Sequence, residues 1–248
     1  MFGLFLRDLK ISGKKDKFLK VDFLLVFMKV AVLFSGGKDS CLALHLAKRE
    51  GHDVEYLLNV SPDNFDSFMF HKPYPILLER QAKELGIELV VRKSKGEKEK
   101  ELEDLRDLIG GVRYNVEGIV TGGIASSYQG SRIRRVCEEL GLDCIAPLEG
   151  FSQEKIWESL FDYGFEVVLT KVSCDGLLKE WVGDVIDREK YLKLLSLSKK
   201  YKFRVDFEGG EAESAVLFMP GFNKRIRLDF SIRSDGEFRH YIDRLEIK

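Results

Sequence analysis

The chain has 248 residues, of which 44% are hydrophobic and 33% charged, enough for one large domain or two small ones with a substantial core. Its 40 lysines and arginines nearly balance 41 aspartates and glutamates, and the net charge of −1 argues against a disordered chain and against nucleic-acid binding through bulk positive charge. The four cysteines lack Cys-x-x-Cys spacing, so we expect buried free thiols in a reducing cytosol, not a zinc or redox site.

The amino-terminal segment differs from the rest of the chain in its pattern of charged and apolar residues. A lysine-rich stretch at 14–20 leads into an apolar run that continues, across Lys29, as far as Phe34. This run has about 12 residues, short of the roughly 20 that a spanning helix needs, and it has no secretory cleavage pattern. We therefore predict no membrane segment. Met28 could itself begin the protein, so residues 1–27 are interpreted either as a dispensable extension or as upstream sequence that is not translated.

From Met28 onward, short apolar runs alternate with helical patterns. Buried strands that alternate with amphipathic helices predict a parallel sheet covered on both faces. Ligands of such sheets bind beyond the carboxyl ends of the strands, where the strand order reverses, so the glycine pairs after the first and fourth strands are expected at one edge. The strands are predicted at 30–34, 54–60, 87–91 and 116–120, with helices after residue 37 and at 76–85, 97–109 and 127–140.

The pattern changes after about residue 147. Three predicted strands near the carboxyl terminus are separated by Pro-Gly and Ser-Asp-Gly turns, which predicts a second, smaller α+β domain. The predicted organisation is an extension at 1–27, an α/β nucleotide-binding domain at 28–148 and a substrate domain at 149–248. The elements predicted in the second domain are strands at 165–172, 216–219, 225–232 and 241–247 and a helix at 189–200.

A six-residue segment between the first strand and its helix is the most informative in the chain: Ser35, Gly36, Gly37, Lys38, Asp39 and Ser40. The glycines let backbone N–H groups approach phosphate oxygens, and the start of the helix directs its free N–H groups and positive dipole end to the same place. The serines add hydroxyl donors and Lys38 adds a cation, while Asp39 is expected to hold the Mg²⁺ that accompanies a triphosphate. The simpler alternative is a turn with a helix cap.

Two common nucleotide-binding signatures, Gly-x-x-x-x-Gly-Lys-Ser/Thr and Gly-x-Gly-x-x-Gly, are absent from this position. The segment resembles instead the Ser-Gly-Gly-x-Asp-Ser signature of the PP-loop, or N-type, ATP pyrophosphatases. This resemblance implies an α/β domain that breaks ATP between the α and β phosphates. A substrate oxygen attacks the α phosphate, AMP becomes attached, pyrophosphate departs and a neutral nucleophile then displaces AMP.

A second group of candidate binding residues surrounds the glycine pair after the fourth strand: Gly122, Gly123, Ser126, Ser127, Tyr128 and Gln129. By position, its glycines and serines are expected to form a turn that faces the phosphates or the adenine. The tyrosine and glutamine either contact substrate or merely begin the following helix. His71, similarly, either lines the pocket or packs within a loop that contains two prolines.

Several segments together resemble the diphthine–ammonia ligase family, at 67–71, 122–132, 164–166, 180–187 and 207–214. The similarity spans about 28–232, and the pairing of the phosphate loop with a Glu-Gly-Gly-Glu-x-Glu segment is specific to that family. Its members adenylate the carboxylate of diphthine, a modified histidine on elongation factor 2, and convert it to an amide with ammonium. The resemblance implies ATP and Mg²⁺ as cofactors and elongation factor 2 as partner. It implies a cytoplasmic protein with no membrane or direct nucleic-acid contact, and it allows a homodimer.

The acidic segment supplies the remaining candidate residues: Glu208, Gly209, Gly210, Glu211 and Glu213. Strand alternation would place Glu211 and Glu213 on one side of an extended segment. Its carboxylates could attract ammonium, deprotonate it during attack or face the trimethylammonium group of diphthine, and the alternative is a solvated acidic turn. With the resemblance, Lys38, Asp39, Glu208 and Glu211 are the predicted catalytic residues, and the two glycines and Glu213 are predicted to bind substrate.

The chain departs from the family pattern in two segments. Glu149 stands where the family usually has tryptophan, while Ala212 and Ser214 stand where it usually has an aromatic residue and a threonine. Two other functions are considered. A PP-loop enzyme that modifies transfer RNA is disfavoured by the balanced charge and the missing Cys-x-x-Cys pairs, and a non-catalytic ATP-binding module would not require the acidic segment or the second domain.

Overall fold

The computed structural model describes residues 27–62, 74–95, 98–123 and 127–248. Within these ranges, none of the helices is both long and apolar enough to cross a membrane. The strands of the described chain are β1 Lys29–Leu33, β2 Asp53–Pro62, β3 Glu88–Ser94, β4 Gly118–Val120, β5 Asp143–Ile145, β6 Glu166–Ser173, β7 Ala212–Phe218, β8 Leu228–Ser234 and β9 Arg239–Ile247. The α-helices are α1 Lys38–Arg49, α2 Pro75–Leu85, α3 Lys98–Val112, α4 Ser127–Leu140, α5 Gln153–Asp162 and α6 Arg188–Tyr201.

The first five strands form a parallel sheet in the order β3-β2-β1-β4-β5. Strand β1 lies at the centre, and the order reverses between β1 and β4, the place where open α/β sheets bind ligands. The predicted α/β domain is therefore confirmed. Helix α2 illustrates the local signals, since Pro75 begins it and Gly86 ends it with a left-handed φ of 67°.

The last four strands form an antiparallel sheet in the order β7-β6-β9-β8, which confirms the predicted smaller α+β domain. Strand β7 is an edge strand of this sheet, and its outer edge faces the phosphate loop: the Val216 N–H donates to the Gly36 carbonyl at 3.0 Å. The two sheets thus meet at the carboxyl end of β1.

Two elements were not assigned from the sequence, β5 and α5. Strand β5 has only three residues, too few to show a period. Helix α5 carries a buried stripe of Ile156, Trp157 and Leu160, and its amino terminus is capped by Ser152, whose hydroxyl accepts from the Lys155 N–H at 3.1 Å.

One face of the parallel sheet shares a core with the second sheet. Val32 of β1, Trp157 of α5, Val168 of β6 and Val216 of β7 belong to the same cluster of buried side chains. The opposite face is a separate cluster formed by β1, β2 and β4 with α3 and α4, with Ile119 fully buried within it. Because burial of apolar surface is the main stabilising term, the shared cluster fixes the second sheet against the edge where β1 ends.

Candidate functional site

A cavity of about 500 Å³ lies where the two sheets meet. Its walls include the carboxyl ends of β1, β2 and β4, the first turn of α1, strand β7 and the loop before β7. Many residues proposed from the sequence line this cavity: Ser35, Gly36, Gly37, Lys38, Asp39, Ser40, Gly122, Gly123, Glu208, Gly209, Gly210 and Glu213.

The phosphate loop depends on glycine at two places. Gly36 has φ +74°, and a Cβ there would lie 2.0 Å from Oε1 of Gln81. A Cβ on Gly37 would lie 3.1 Å from the backbone oxygen of Ser214, so the loop passes close to β7. The backbone conformation and the close approach both explain why side chains are absent here.

The two serines of the loop brace it from within. The hydroxyls of Ser35 and Ser40 lie 3.1 Å apart, and the Ser40 hydroxyl donates to the Gly37 carbonyl at 3.2 Å. The Gly37 N–H is directed at the Ser35 hydroxyl at 3.4 Å. These contacts hold the turn from which α1 begins.

The second glycine turn contacts the first. A Cβ on Gly122 would lie 2.6 Å from the backbone carbon of Asp39, which brings the end of β4 against the first turn of α1. The Gly123 N–H donates to the Thr121 hydroxyl at 3.2 Å. Both glycine turns therefore lie at one sheet edge.

The Lys38 side chain is turned toward the second domain. Only 2% of the residue is exposed, and its ammonium donates to the Asp206 carbonyl at 2.5 Å and to Oδ2 of Asp39 at 2.7 Å. The ammonium also lies 5.6 Å from the centre of the Phe207 ring. This lysine consequently links the phosphate loop to the loop that precedes β7.

The remaining carboxylate oxygen of Asp39, Oδ1, is buried and makes no hydrogen bond within the described residues. A buried anionic oxygen without a partner is costly, and it suits a hard cation such as Mg²⁺. The described residues contain no cluster of three or more His, Cys, Asp or Glu side chains able to hold a metal. Mg²⁺ usually takes one or two carboxylates together with substrate phosphates, so Asp39 fits that ion.

Glu208 lines the cavity and carries a carboxyl group whose pKa is raised. Burial raises the pKa of Glu208, and the negative charge of Asp39 raises it further, while Lys38 opposes the shift. Its neighbour Phe207 has φ +63°, a left-handed conformation that is strained for a non-glycine residue. The strained backbone places Glu208 at the cavity wall.

Glu211 has a different environment. Its carboxylate accepts from the Arg204 N–H at 3.1 Å and from the Gly209 N–H at 2.9 Å, and so closes the 204–211 loop on itself. Glu211 does not line the cavity, whereas Glu213 does. Strand β7 begins at Ala212, and the Ser173 N–H of β6 donates to the Glu211 carbonyl at 2.7 Å. The placement of Glu211 and Glu213 on one side stays a prediction.

Glu213 is paired with a cation. Its carboxylate lies 2.8 Å from the Lys171 ammonium on β6, and each side chain is 18% exposed. Burial, followed by the charge of Glu213, raises the pKa of Tyr74, whose hydroxyl donates to the Ile242 carbonyl at 2.6 Å. On β7, the cavity is therefore lined by a carboxylate that is ion-paired and held in place.

Several predicted residues lie outside this description. His71 and Ser126 are outside the described residues, and the side chains of Ser127, Tyr128 and Gln129 are too, although their backbone begins α4. Of the two departures from the family pattern, Ala212 lines the cavity, whereas Glu149 forms a bidentate ion pair with Arg134 at 2.7 Å near the surface.

Two further residues shape the site, Gln81 and Ser214, and neither is among the site residues predicted from the sequence. The Gln81 amide, 1% exposed, donates to the carbonyls of Gly36 and Val216 at 2.9 and 2.8 Å. A signal was present, because Gln81 interrupts the apolar face formed by Leu78 and Ala82. Ser214 directly follows the acidic motif, and the sequence indicates it only as a departure from the family pattern.

Sequence profiles match two consecutive segments of the chain. The diphthamide synthase N-terminal domain matches residues 28–144, and the diphthamide synthase C-terminal domain matches residues 152–245. The two profiles together cover most of the chain.

Curated relatives agree with these profiles. The diphthine–ammonia ligase of Bos taurus is 34% identical over 226 residues, which are 82% of this chain and 84% of the relative. The Homo sapiens protein of the same name is 34% identical over 229 residues, with 82% and 84% covered. The Schizosaccharomyces pombe diphthine–ammonia ligase is 36% identical over 219 residues, and this chain spans only 36% of its length.

Solved structures resemble the chain less closely. One described as a predicted subunit of tRNA methyltransferase from Methanocaldococcus jannaschii is 20% identical, covers 81% of this chain and all of its own, and has a TM-score of 0.41. The U34-tRNA thiolase NcsA from Methanococcus maripaludis is 14% identical, with 54% and 56% covered and a TM-score of 0.37. We draw no functional conclusion from similarity at this level.

Proposed function

The chain belongs to the diphthamide synthase family, whose curated members are named diphthine–ammonia ligase, and from that premise we propose that it is an ATP-dependent ligase. In this proposal it adenylates the diphthine carboxylate of elongation factor 2 and aminates it with ammonium. The products are diphthamide, AMP and pyrophosphate.

One observation carries this proposal: the phosphate loop and the acidic segment line the same cavity. The Val216 N–H donates to the Gly36 carbonyl at 3.0 Å, only a few residues after Glu213. An ATP-binding module without an acceptor would not need carboxylates fixed beside its phosphate loop. A ligase does need them, because ammonia must meet the activated carbonyl carbon of the acceptor and lose a proton there.

In the first step, a carboxylate oxygen of diphthine attacks the α phosphorus and the bond to pyrophosphate breaks. Backbone N–H groups of the phosphate loop and the first turn of α1 are preorganised to stabilise the charge that grows on pyrophosphate. Asp39 would hold Mg²⁺ through its unpartnered Oδ1, and the ion neutralises phosphate charge when bound. Lys38 positions Asp39 through their 2.7 Å ion pair.

In the second step, ammonia attacks the carbonyl carbon of the acyl adenylate and the bond to the AMP oxygen breaks. Glu208 accepts the proton that the attacking nitrogen loses, a role favoured by the raised pKa of its carboxyl group. Glu213 lines the cavity, and its ion-paired carboxylate is assigned to face the trimethylammonium group of diphthine. Glu211 is assigned to shaping the loop, because its carboxylate accepts hydrogen bonds from two backbone N–H groups of that loop.

The partners and location follow from the substrate. A ligase of this kind acts on a translation factor, so we propose a cytoplasmic protein that takes elongation factor 2 and ammonium without contacting nucleic acid itself. All four cysteines are free thiols, in keeping with a reducing compartment. A homodimer is compatible with this proposal and is not required by it.

The direct test is incubation with diphthine-bearing elongation factor 2, ATP and ammonium, followed by mass spectrometry of the modified peptide. The proposal expects the mass shift for exchange of a carboxylic hydroxyl for an amino group, with label incorporated from isotopically heavy ammonium. Unmodified diphthine after ATP has been consumed would overturn it. Elongation factor 2 that already carries diphthamide is the matched negative control.

A further inference from the structure

Ser214 lies on β7 of the second sheet and contacts the phosphate loop of the first. Its hydroxyl accepts the backbone N–H of Lys38, the first residue of α1, at 3.2 Å. Ser214 also lines the cavity, and its backbone oxygen is the atom that a Cβ on Gly37 would meet at 3.1 Å. A residue from the second domain therefore lies at the amino terminus of the phosphate-binding helix.

The register that places Ser214 there is fixed by buried hydrogen bonds. The Gly36 carbonyl accepts from the Val216 N–H at 3.0 Å and from the Gln81 amide at 2.9 Å. The same amide donates to the Val216 carbonyl at 2.8 Å. A slip of β7 by one residue would break these bonds and turn Ser214 to the opposite face of the sheet.

A hydroxyl at this position can accept a hydrogen bond from the helix N–H group and donate another to a ligand. The oxygen of Ser214 accepts from the Lys38 N–H, and a serine hydroxyl still has its own hydrogen to donate. That donor belongs to a cavity-lining side chain at the positive end of α1, where an anion is favoured.

We propose that Ser214 is a pyrophosphate-binding residue supplied by the second domain, its hydroxyl donating to the β or γ phosphate of ATP. This inference rests on the proposed function only in taking ATP as the nucleotide. In this inference both domains supply residues to the phosphate site, because β7 carries Ser214 as well as Glu213.

The test is calorimetric binding of ATP, inorganic pyrophosphate and AMP, each with Mg²⁺, to the full-length protein. Loss of one hydrogen bond to a charged group predicts that Ser214→Ala weakens binding of ATP and pyrophosphate by about 10-fold to 100-fold. AMP binding should stay unchanged. Ser214→Thr retains the hydroxyl and should bind all three ligands like the wild type. Ser231→Ala, at an exposed position of β8, is the matched control and should change none of them.

The outcomes separate this inference from the proposed ligase activity, because binding is measured without an acceptor. If Ser214→Ala leaves pyrophosphate binding unchanged, or weakens AMP equally, the role of Ser214 is overturned and the ligase is untouched. If the wild type binds pyrophosphate through Ser214 yet never aminates diphthine, the ligase proposal fails alone. A wild type that binds neither ATP nor pyrophosphate overturns both.

Discussion

The buried ammonium of Lys38 donates to the backbone carbonyl of Asp206 at 2.5 Å. One residue belongs to the phosphate loop of the parallel sheet and the other to the loop before β7 of the second sheet. The contact joins the proposed nucleotide and acceptor parts of the cavity, and Ser214 and Gln81 make further bonds across the same boundary. The cavity is therefore lined by residues of both sheets, which are joined by these hydrogen bonds.

The first prediction concerns the stability that Lys38 provides. Lys38→Ala leaves the Asp206 carbonyl and one Asp39 oxygen without their partner, which should cost about 1–3 kcal/mol. For a chain of this size each kcal/mol lowers the melting temperature by about 2–4 °C. Calorimetric melting of this variant should show the lower melting temperature. A separate activity assay should show the loss of AMP formation. Lys48→Ala, exposed near the end of α1, should melt like the wild type. A normal melting temperature for Lys38→Ala would contradict the structural role.

The second prediction separates the carboxylates of the acidic segment. Glu208→Gln removes the proton acceptor, so ammonium-dependent amide formation should slow by about 10²–10⁴-fold. Exchange of labelled pyrophosphate into ATP, which reports the first step, should persist. Glu211→Gln loses one acceptor for a loop N–H group and should weaken both steps to a similar and smaller extent. Selective loss of the second step in Glu211→Gln, with Glu208→Gln fully active, would reverse the two assignments.

The third prediction concerns acid stability and His45 of α1. Burial, assisted by the charge of Arg49, lowers the pKa of His45 from 6.5 to about 4, and the centre of its ring lies 4.6 Å from the centre of the Tyr163 ring at an angle of 54°. The unfolded chain therefore takes up a proton below pH 6.5 that the folded chain takes up only near pH 4. The contribution of His45 to the free energy of unfolding is therefore fully present above pH 6.5 and is lost as the pH falls toward 4.

Urea unfolding at a series of pH values tests this dependence. His45→Phe, which removes the titrating group and keeps an aromatic ring, should lose less stability than the wild type between pH 6.5 and 4. Identical slopes for His45→Phe and the wild type would show that His45 does not set the acid sensitivity.

The fourth prediction compares two glycines. Gly36→Ala forces a left-handed residue at φ +74° and a Cβ 2.0 Å from Oε1 of Gln81, so it should lower stability by about 1–3 kcal/mol and weaken ATP binding. Gly110→Ala in α3 meets nothing within 4 Å and should stabilise the protein by about 0.5–1 kcal/mol. Denaturant unfolding of both variants measures these two changes in the free energy of unfolding. Equal effects would show that the loop conformation of Gly36 is not required.

Local sequence signals predicted most of the parallel sheet. Helix α2 shows why: Pro75 starts it, Gly86 stops it, and the apolar spacing between them is regular, so the predicted and observed bounds differ by one residue. Helix α5 was missed although Ile156 and Leu160 are four residues apart, because its apolar stripe spans little more than one turn.

The contacts that assemble the site could not be predicted from local sequence patterns, because their partners are far apart in the chain. Gln81 lies 45 residues from Gly36 and 135 from Val216, so nothing local indicates that its amide joins them. The roles of Glu208 and Glu211 differ for a similar reason: the loop folds back on itself so that Glu211 meets backbone N–H groups. Motif spacing identified the segment, while loop conformation decided which carboxylate faces the cavity.

The central claim is that ATP is cleaved beside its α phosphate to activate a carboxylate. The most direct measurement follows ATP labelled in the α phosphate during reaction with diphthine-bearing elongation factor 2 and ammonium. We predict labelled AMP, pyrophosphate and new amide in equal amounts, with AMP release dependent on the acceptor. Labelled ADP with inorganic phosphate, or amide formed without AMP, would contradict the account.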